Sequence, residues 1–199
     1  MVVIFEGSDL AGKTTLARHY ARALRYPIVK LRWDLLNERA ETTAYAKATV
    51  GILGAYEANL ILDRSFLSMY AYSEDPSFVE PLVRAVGEIL GLRLVVLTAD
   101  ETTLRRRYEA APDRFFGLDH VMMANARFRT LVQMLPPDVL KLHLDTASLG
   151  PLECCQRIDA LVGSETGPYT ASSESAYRIQ VIPIGEIPVT IERYVGENT

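Results

Sequence analysis

The chain is poor in cysteine, histidine and tryptophan, and each shortage removes a class of chemistry. Cys154 and Cys155 are the only cysteines in 199 residues. As neighbours on a helix they point in different directions, and no second Cys/His pair stands at zinc-ligand spacing. They read as reduced structural residues, which implies a reducing cytoplasm, or a host cytoplasm if the chain is phage-encoded. His19, His120 and His143 are too scattered for a metal site, and so few histidines carry no Ser-His-Asp or Cys-His order. No apolar run approaches the length of a membrane span, and Met1 leads straight into an apolar strand without a signal-peptide pattern. Neither sign of charge dominates. The 21 basic and 25 acidic residues leave a net charge of −4, which excludes a broadly nucleic-acid-coating surface and leaves room for a local basic site.

What is present is concentrated near the start. Val2 to Phe5 is a short apolar run of the kind a buried strand needs, and Thr15 to Leu24 has helical composition. Between them Gly7-Ser8-Asp9-Leu10-Ala11-Gly12-Lys13-Thr14 fits the Gly-x-x-x-x-Gly-Lys-Ser/Thr phosphate loop at every defined position. Gly7 and Gly12 let the backbone curl so that successive N–H groups point inward at phosphate oxygens, and the helix N-terminus adds its positive dipole end. Lys13 is expected to reach the β- and γ-phosphates and the Thr14 hydroxyl to ligate magnesium, with residues 7 to 15 as the nucleotide-binding segment ending at Thr15.

Strand-like and helix-like segments then alternate to about residue 162, the pattern of a parallel sheet covered by helices on both faces. The strands are expected at Val2 to Phe5, Tyr26 to Leu31, Asn59 to Leu62, Leu92 to Leu97 and Val139 to Leu144. Helices are expected at Glu41 to Glu57, from Pro76 to about Leu90, after a cap at Asp100, at Leu118 to Met134 and at Pro151 to Val162. This describes a three-layer α/β sandwich of P-loop NTPase type on a five-stranded parallel sheet, occupying residues 1 to 162. Residues 163 to 176 have linker composition. Residues 177 to 199 alternate apolar with polar side chains around Pro183-Ile184-Gly185-Glu186, as a β-hairpin would, and a hairpin must dock on the domain or on another subunit to be stable.

Two further stretches carry chemistry. In Leu60-Ile61-Leu62-Asp63-Arg64 an apolar strand delivers a carboxylate at its C-terminal end, beside the phosphate loop, where it can serve magnesium or orient a nucleophile. Arg64 follows, with a planar fork of donors suited to an anion. The cluster Arg105, Arg106, Arg107 with Arg114 can supply positive charge around a migrating phosphoryl group, although at helical spacing the first three cannot all face one way.

Phe5-Glu6-Gly7-Ser8-Asp9 with Gly12-Lys13-Thr14-Thr15 resembles the Glu-Gly-x-Asp-x-x-Gly-Lys-Ser/Thr-Thr loop of thymidylate kinases. Asp63-Arg64-Ser65 with Ser68, Ala71 and Tyr72 is similar to that family's Asp-Arg-Tyr-x-x-Ser-Ser-x-Ala-Tyr-Gln segment, and Arg105-x-Arg107 with Asp113-Arg114 to its lid. The resemblance implies ATP as donor, magnesium, a nucleoside monophosphate acceptor and commonly a homodimer. It places Asp9 on the sugar 3′-hydroxyl, Arg64 on the acceptor phosphate, and Arg105, Arg107 and Arg114 on the donor phosphates. Leu10 stands where some members carry an arginine in the loop itself. The chain departs from the pattern after strand two, where Leu31-Arg32-Trp33-Asp34-Leu35 replaces Arg-Glu-Pro-Gly-Gly, and at Ser65, Ser73 and Glu109. Trp33, Ser68 and Tyr72 are candidate acceptor contacts, the aromatic ones by stacking on a base.

The expected function is magnesium- and ATP-dependent phosphoryl transfer to a deoxynucleoside monophosphate such as dTMP, with Lys13, Asp63, Arg64, Arg105, Arg107 and Arg114 as catalytic residues and Thr14 and Asp63 at the metal. The alternative is a kinase of another hydroxyl, a nucleoside or a modified base within DNA; DNA is a partner only in that case, and no membrane partner is expected. A non-catalytic nucleotide-binding protein or ATPase switch is the third reading.

Overall fold

The computed structural model describes residues 1–31, 59–73, 75–78, 83, 92–113, 116–163, 177–184 and 187–196. In chain order the described elements are β1 (Val2–Gly7), α1 (Lys13–Leu24), β2 (Ile28–Leu31), β3 (Leu60–Asp63), α2 (Leu67–Tyr72), a 3-10 turn (Pro76–Phe78), β4 (Leu92–Thr98), α3 (Glu101–Ala110), α4 (Leu118–Met134), β5 (Lys141–Asp145), α5 (Pro151–Val162), β6 (Tyr177–Ile184) and β7 (Ile187–Tyr194). They build one seven-stranded sheet in the order β5-β4-β1-β3-β2-β7-β6. The first five strands are parallel, and β7 and β6 add antiparallel beyond β2.

All six residues of β1 are buried, as the central strand of a sheet covered on both sides requires. Its side chains alternate between two cores. Val2 and Ile4 join Leu62, Leu94, Phe128 and Leu131 under α2 and α4, while Val3 and Phe5 join Leu16, Tyr20, Val95 and Ile158 under α1 and α5. Cys154 and Cys155 are buried free thiols in the second core. Among the described residues no group of three or more His, Cys, Asp or Glu is placed to hold a metal ion, and no helix is long and apolar enough to cross a membrane.

All five expected parallel strands form, with shifts at their ends. Tyr26 drops out of β2 because its N–H closes α1 on the Ala21 carbonyl, and Pro27 has no N–H to give the ladder. The helix after the phosphate loop begins at Lys13 rather than Thr15, since Gly12 in the left-handed region at φ 89° acts as its cap. Asp100 caps α3 as expected, accepting from the Thr103 N–H at 2.7 Å. The expected helix at Glu41 to Glu57, most of that from Pro76 to Leu90, and the linker after Gly163 lie outside the described residues.

Gly7 ends β1 against β4. A Cβ there would sit 2.1 Å from the Leu97 carbonyl oxygen, and φ is +143°. Gly7→Ala is therefore expected to cost about 2–5 kcal/mol in urea-melt stability, through backbone strain and displacement of β4; a melt equal to wild type would contradict this packing.

Candidate active site

The strands deliver the site at their C-terminal ends, the usual ligand position on an open parallel sheet. The loop from Gly7 to Gly12 wraps from β1 into α1. Gly12 holds φ at +89°, a left-handed conformation that a side chain would strain, while a Cβ there would meet nothing within 4 Å. Leu10 and Arg64 hold positive φ values of 65° and 77°, a concentration of backbone strain that marks functional sites. Ser8, also buried, donates to Asn125 Oδ1 at 3.2 Å, and Asn125 is tied to both backbone groups of Ala99 at the end of β4. That asparagine on α4 anchors the loop to the sheet.

Lys13 is 5% exposed and its ammonium donates to the Ser8 carbonyl at 3.0 Å, with Asp9 Oδ1 3.8 Å away. Burial, and then the Arg64 guanidinium, lower its pKa to about 8, against the opposing pull of Asp9, Asp63 and Glu6. Bound phosphates require the ammonium, so the contribution of Lys13 to ATP affinity is expected to be fully present well below pH 8 and to fall by up to about tenfold per unit above it. Calorimetric titration checks this, and in Lys13→Ala the dependence on pH should disappear.

The Thr14 hydroxyl donates to Asp63 Oδ2 at 2.8 Å, joining the start of α1 to the end of β3. A hydroxyl and a carboxylate at the mouth of a phosphate loop form a hard oxygen pair, and this donor set fits magnesium, which takes few protein ligands and keeps water and phosphate oxygens. Asp63 also has Lys30 3.8 Å away.

Arg64 is buried and engaged on all sides. It donates to the Gly7 carbonyl at 3.3 Å, to Ser68 Oγ at 3.2 Å and to the Asp9 carboxylate, and its guanidinium lies 5.1 Å from the centre of the Tyr72 ring. Burial alone would raise the Asp9 pKa, but Arg64, Lys13 and the Tyr72 hydroxyl bring it below the ordinary value. Tyr72 donates to Asp9 Oδ2 at 2.7 Å and accepts from the Asp9 N–H at 2.7 Å. Glu6 is fully buried and accepts from the Ser65 N–H, Ser65 Oγ and Ser68 Oγ, each at 2.6 Å. Burial raises its pKa despite these donors and Arg64. Glu6 thus fixes the turn that presents Arg64. Ser68, a candidate acceptor contact from sequence, is 1% exposed with its hydroxyl committed between Glu6 and Arg64, so it positions the arginine.

The arginine cluster divides as helical spacing requires. Arg107 donates to the Leu10 carbonyl at 2.8 Å, Thr146 Oγ1 at 3.0 Å and the Thr146 carbonyl at 2.9 Å. Arg105, on another side of α3, pairs with Glu101 at 3.1 Å in solvent and is not brought to the loop. Arg114 and Trp33 lie outside the described residues. Behind the loop, a cavity of about 250 Å³ is bounded by Gly12, Thr15, Arg107, Thr146, Pro151 and Cys154. On the other side, Phe116 and His120 stack on each other at 4.6 Å and against Tyr72 at 5.0 and 5.8 Å. Neither they nor Asn125 were marked by any local motif; only the buried position of a lone asparagine on an amphipathic helix could have drawn notice to Asn125.

No family model matches the chain, and no curated protein matches it. Solved structures do. The YorR protein of Bacillus subtilis, solved in complex with phosphorylated GDP, superposes with a TM-score of 0.59 at 21% identity, covering 82% of this chain and 96% of that one. Deoxyadenosine kinase of M. mycoides, solved with the products dCMP and dCDP, gives 0.57 at 15% identity over 82% of this chain and 99% of that one. The same enzyme with bound dATP gives 0.53 at 15% identity, with 82% and 100% covered. At these identities the likeness is one of fold, and it is broader than the thymidylate kinase resemblance of the motifs. The chain has the fold of the P-loop kinases.

Proposed function

We propose that the protein is a magnesium- and ATP-dependent kinase whose acceptor is a hydroxyl of a deoxynucleoside. The donor half of this reading rests on the phosphate loop: backbone N–H groups and Lys13 hold the phosphates, and the cavity beside Arg107 receives the base of ATP. Magnesium, held by Thr14 and Asp63, supplies charge neutralisation on the phosphates when bound. Arg107, held on the Leu10 carbonyl at the rim of that cavity, adds positive charge beside the donor phosphates.

The observation that carries the acceptor class is the charge balance around Arg64. Its guanidinium is already matched by the Asp9 carboxylate, with Glu6 and Asp63 close behind. A neutral sugar hydroxyl can bind beside Asp9 and Arg64 without displacing either from the other. Deoxyadenosine kinase, which shares the fold, has a deoxynucleoside in its name. A second reading, transfer to a deoxynucleoside monophosphate such as dTMP, is favoured by the Asp9, Asp63-Arg64 and Tyr72 motifs. It requires Arg64 to leave Asp9 for the incoming phosphate.

ADP formation should be measured with magnesium and ATP across deoxynucleosides, deoxynucleoside monophosphates and hydroxymethyluracil-containing DNA. Turnover of a free deoxynucleoside is expected. Turnover of dTMP alone would establish the second reading, turnover of DNA alone would place the hydroxyl on a polymer, and no acceptor-dependent ADP with any of them would overturn the kinase assignment.

A further inference from the structure

The C-terminal hairpin reaches the metal side of the site through a buried carboxylate. Glu192 on β7 lies opposite Ile28 of β2 and is 3% exposed. A carboxylate so buried must be matched by charge. Glu192 Oε1 accepts from Lys30 Nζ at 2.6 Å, and Oε2 from Arg18 Nε at 3.3 Å. Arg18 lies one helical turn after Thr14 on α1, and its carbonyl accepts from the Tyr177 hydroxyl of β6 at 2.7 Å. Lys30 stands 3.8 Å from Asp63 Oδ2, the oxygen that also accepts from Thr14 at 2.8 Å. Hairpin carboxylate, Lys30, Asp63 and Thr14 therefore form one connected line of polar groups.

The position of Lys30 has a cost for a metal. An unneutralised ammonium that close to Asp63 competes for the carboxylate and repels a divalent cation. Glu192 offers the ammonium the shorter contact, 2.6 Å against 3.8 Å, and divides its own charge between Lys30 and Arg18. We propose that Glu192 is a positioning residue of the metal site: by taking the closer contact with the Lys30 ammonium it weakens that ammonium's hold on Asp63 and leaves the carboxylate to magnesium, and the hairpin is thereby a working part of the site. The inference rests on the reading of Thr14 and Asp63 as the magnesium pair of a nucleotide kinase.

The test is calorimetric titration of ATP into the full-length protein at a series of magnesium concentrations and in EDTA. Glu192→Gln keeps the size of the side chain and removes its charge. It is expected to raise the magnesium concentration at half-maximal enhancement of ATP binding by about tenfold or more, while affinity in EDTA changes little. Because Glu192 acts through Lys30, the double variant K30M/E192Q should return to within about threefold of wild type, as should K30M alone. An unchanged midpoint in E192Q would overturn the proposal. So would a double variant as impaired as E192Q, which would make Glu192 only a tie for the hairpin. If E192Q alone does not fold, K30M and K30M/E192Q are compared directly: equal midpoints support the proposal and a tenfold rise in the double variant overturns it. A wild-type protein that binds no ATP under any condition would instead sink the kinase reading itself.

Discussion

Lys13→Ala is expected to lower turnover by about 10³-fold, the scale associated with removing a cation aimed at the charge that develops on a transferred phosphoryl group. The ammonium already rests on the loop, 3.0 Å from the Ser8 carbonyl, so phosphate oxygens need only replace that carbonyl. Among the described residues no other lysine is positioned to take over, because Lys30 is held by Glu192 and Lys141 by the Leu135 and Pro136 carbonyls. The fold should not suffer. Folding lowers the Lys13 pKa to about 8, chiefly by burial, which means that the charged form is disfavoured in the folded chain; alanine removes that cost. The thermal midpoint should equal or exceed that of wild type at pH 7. Steady-state rates with near-normal kcat would contradict the role given to the phosphate loop.

Arg64→Ala has the second large effect, and here stability and activity fall together. The guanidinium joins the Gly7 carbonyl, Ser68, Asp9 and the Tyr72 ring. Its loss leaves Asp9 without its main counter-charge, and breaking a buried pair in this way costs about 3–5 kcal/mol. Acceptor kcat/KM is expected to fall about 10²–10³-fold, more than the change in KM for ATP, because the donor phosphates are held mainly by the loop. Arg64→Lys should recover part of the stability and little of the activity, since a single ammonium cannot span Gly7, Ser68 and Asp9 at once. A chemical-denaturation curve and acceptor kinetics matching wild type would remove Arg64 from the site.

The parts of this site that were legible in the sequence are those whose physics is local. The phosphate loop works through consecutive backbone N–H groups, so its spacing alone identifies it. Asp63 and Arg64 follow an apolar strand, and parallel-sheet geometry places the end of such a strand beside the loop. The cap at Asp100 and the limits of α4 and α5 were likewise visible in short-range signals. What was hidden depends on register and on helix phase. Arg105 and Arg107 are equivalent in composition, and only the packing of α3 sends one to Thr146 and the other to Glu101. Asn125, Phe116 and His120 meet the loop and Tyr72 across long sequence separations. The hairpin was recognisable as a hairpin, yet its pairing with β2, which brings Glu192 to Lys30, follows from an antiparallel register that alternation alone does not specify.

Transfer of the γ-phosphoryl group of ATP to an acceptor is the reaction on which the proposed function stands. Phosphorus NMR of one reaction containing the protein, magnesium, ATP and a mixture of deoxynucleosides tests it most directly. ATP signals are expected to give way to ADP and a phosphomonoester in equal amounts, with no excess of inorganic phosphate. Inorganic phosphate accumulating in step with ADP, with no phosphomonoester, would contradict it and make the protein a hydrolase or a nucleotide switch.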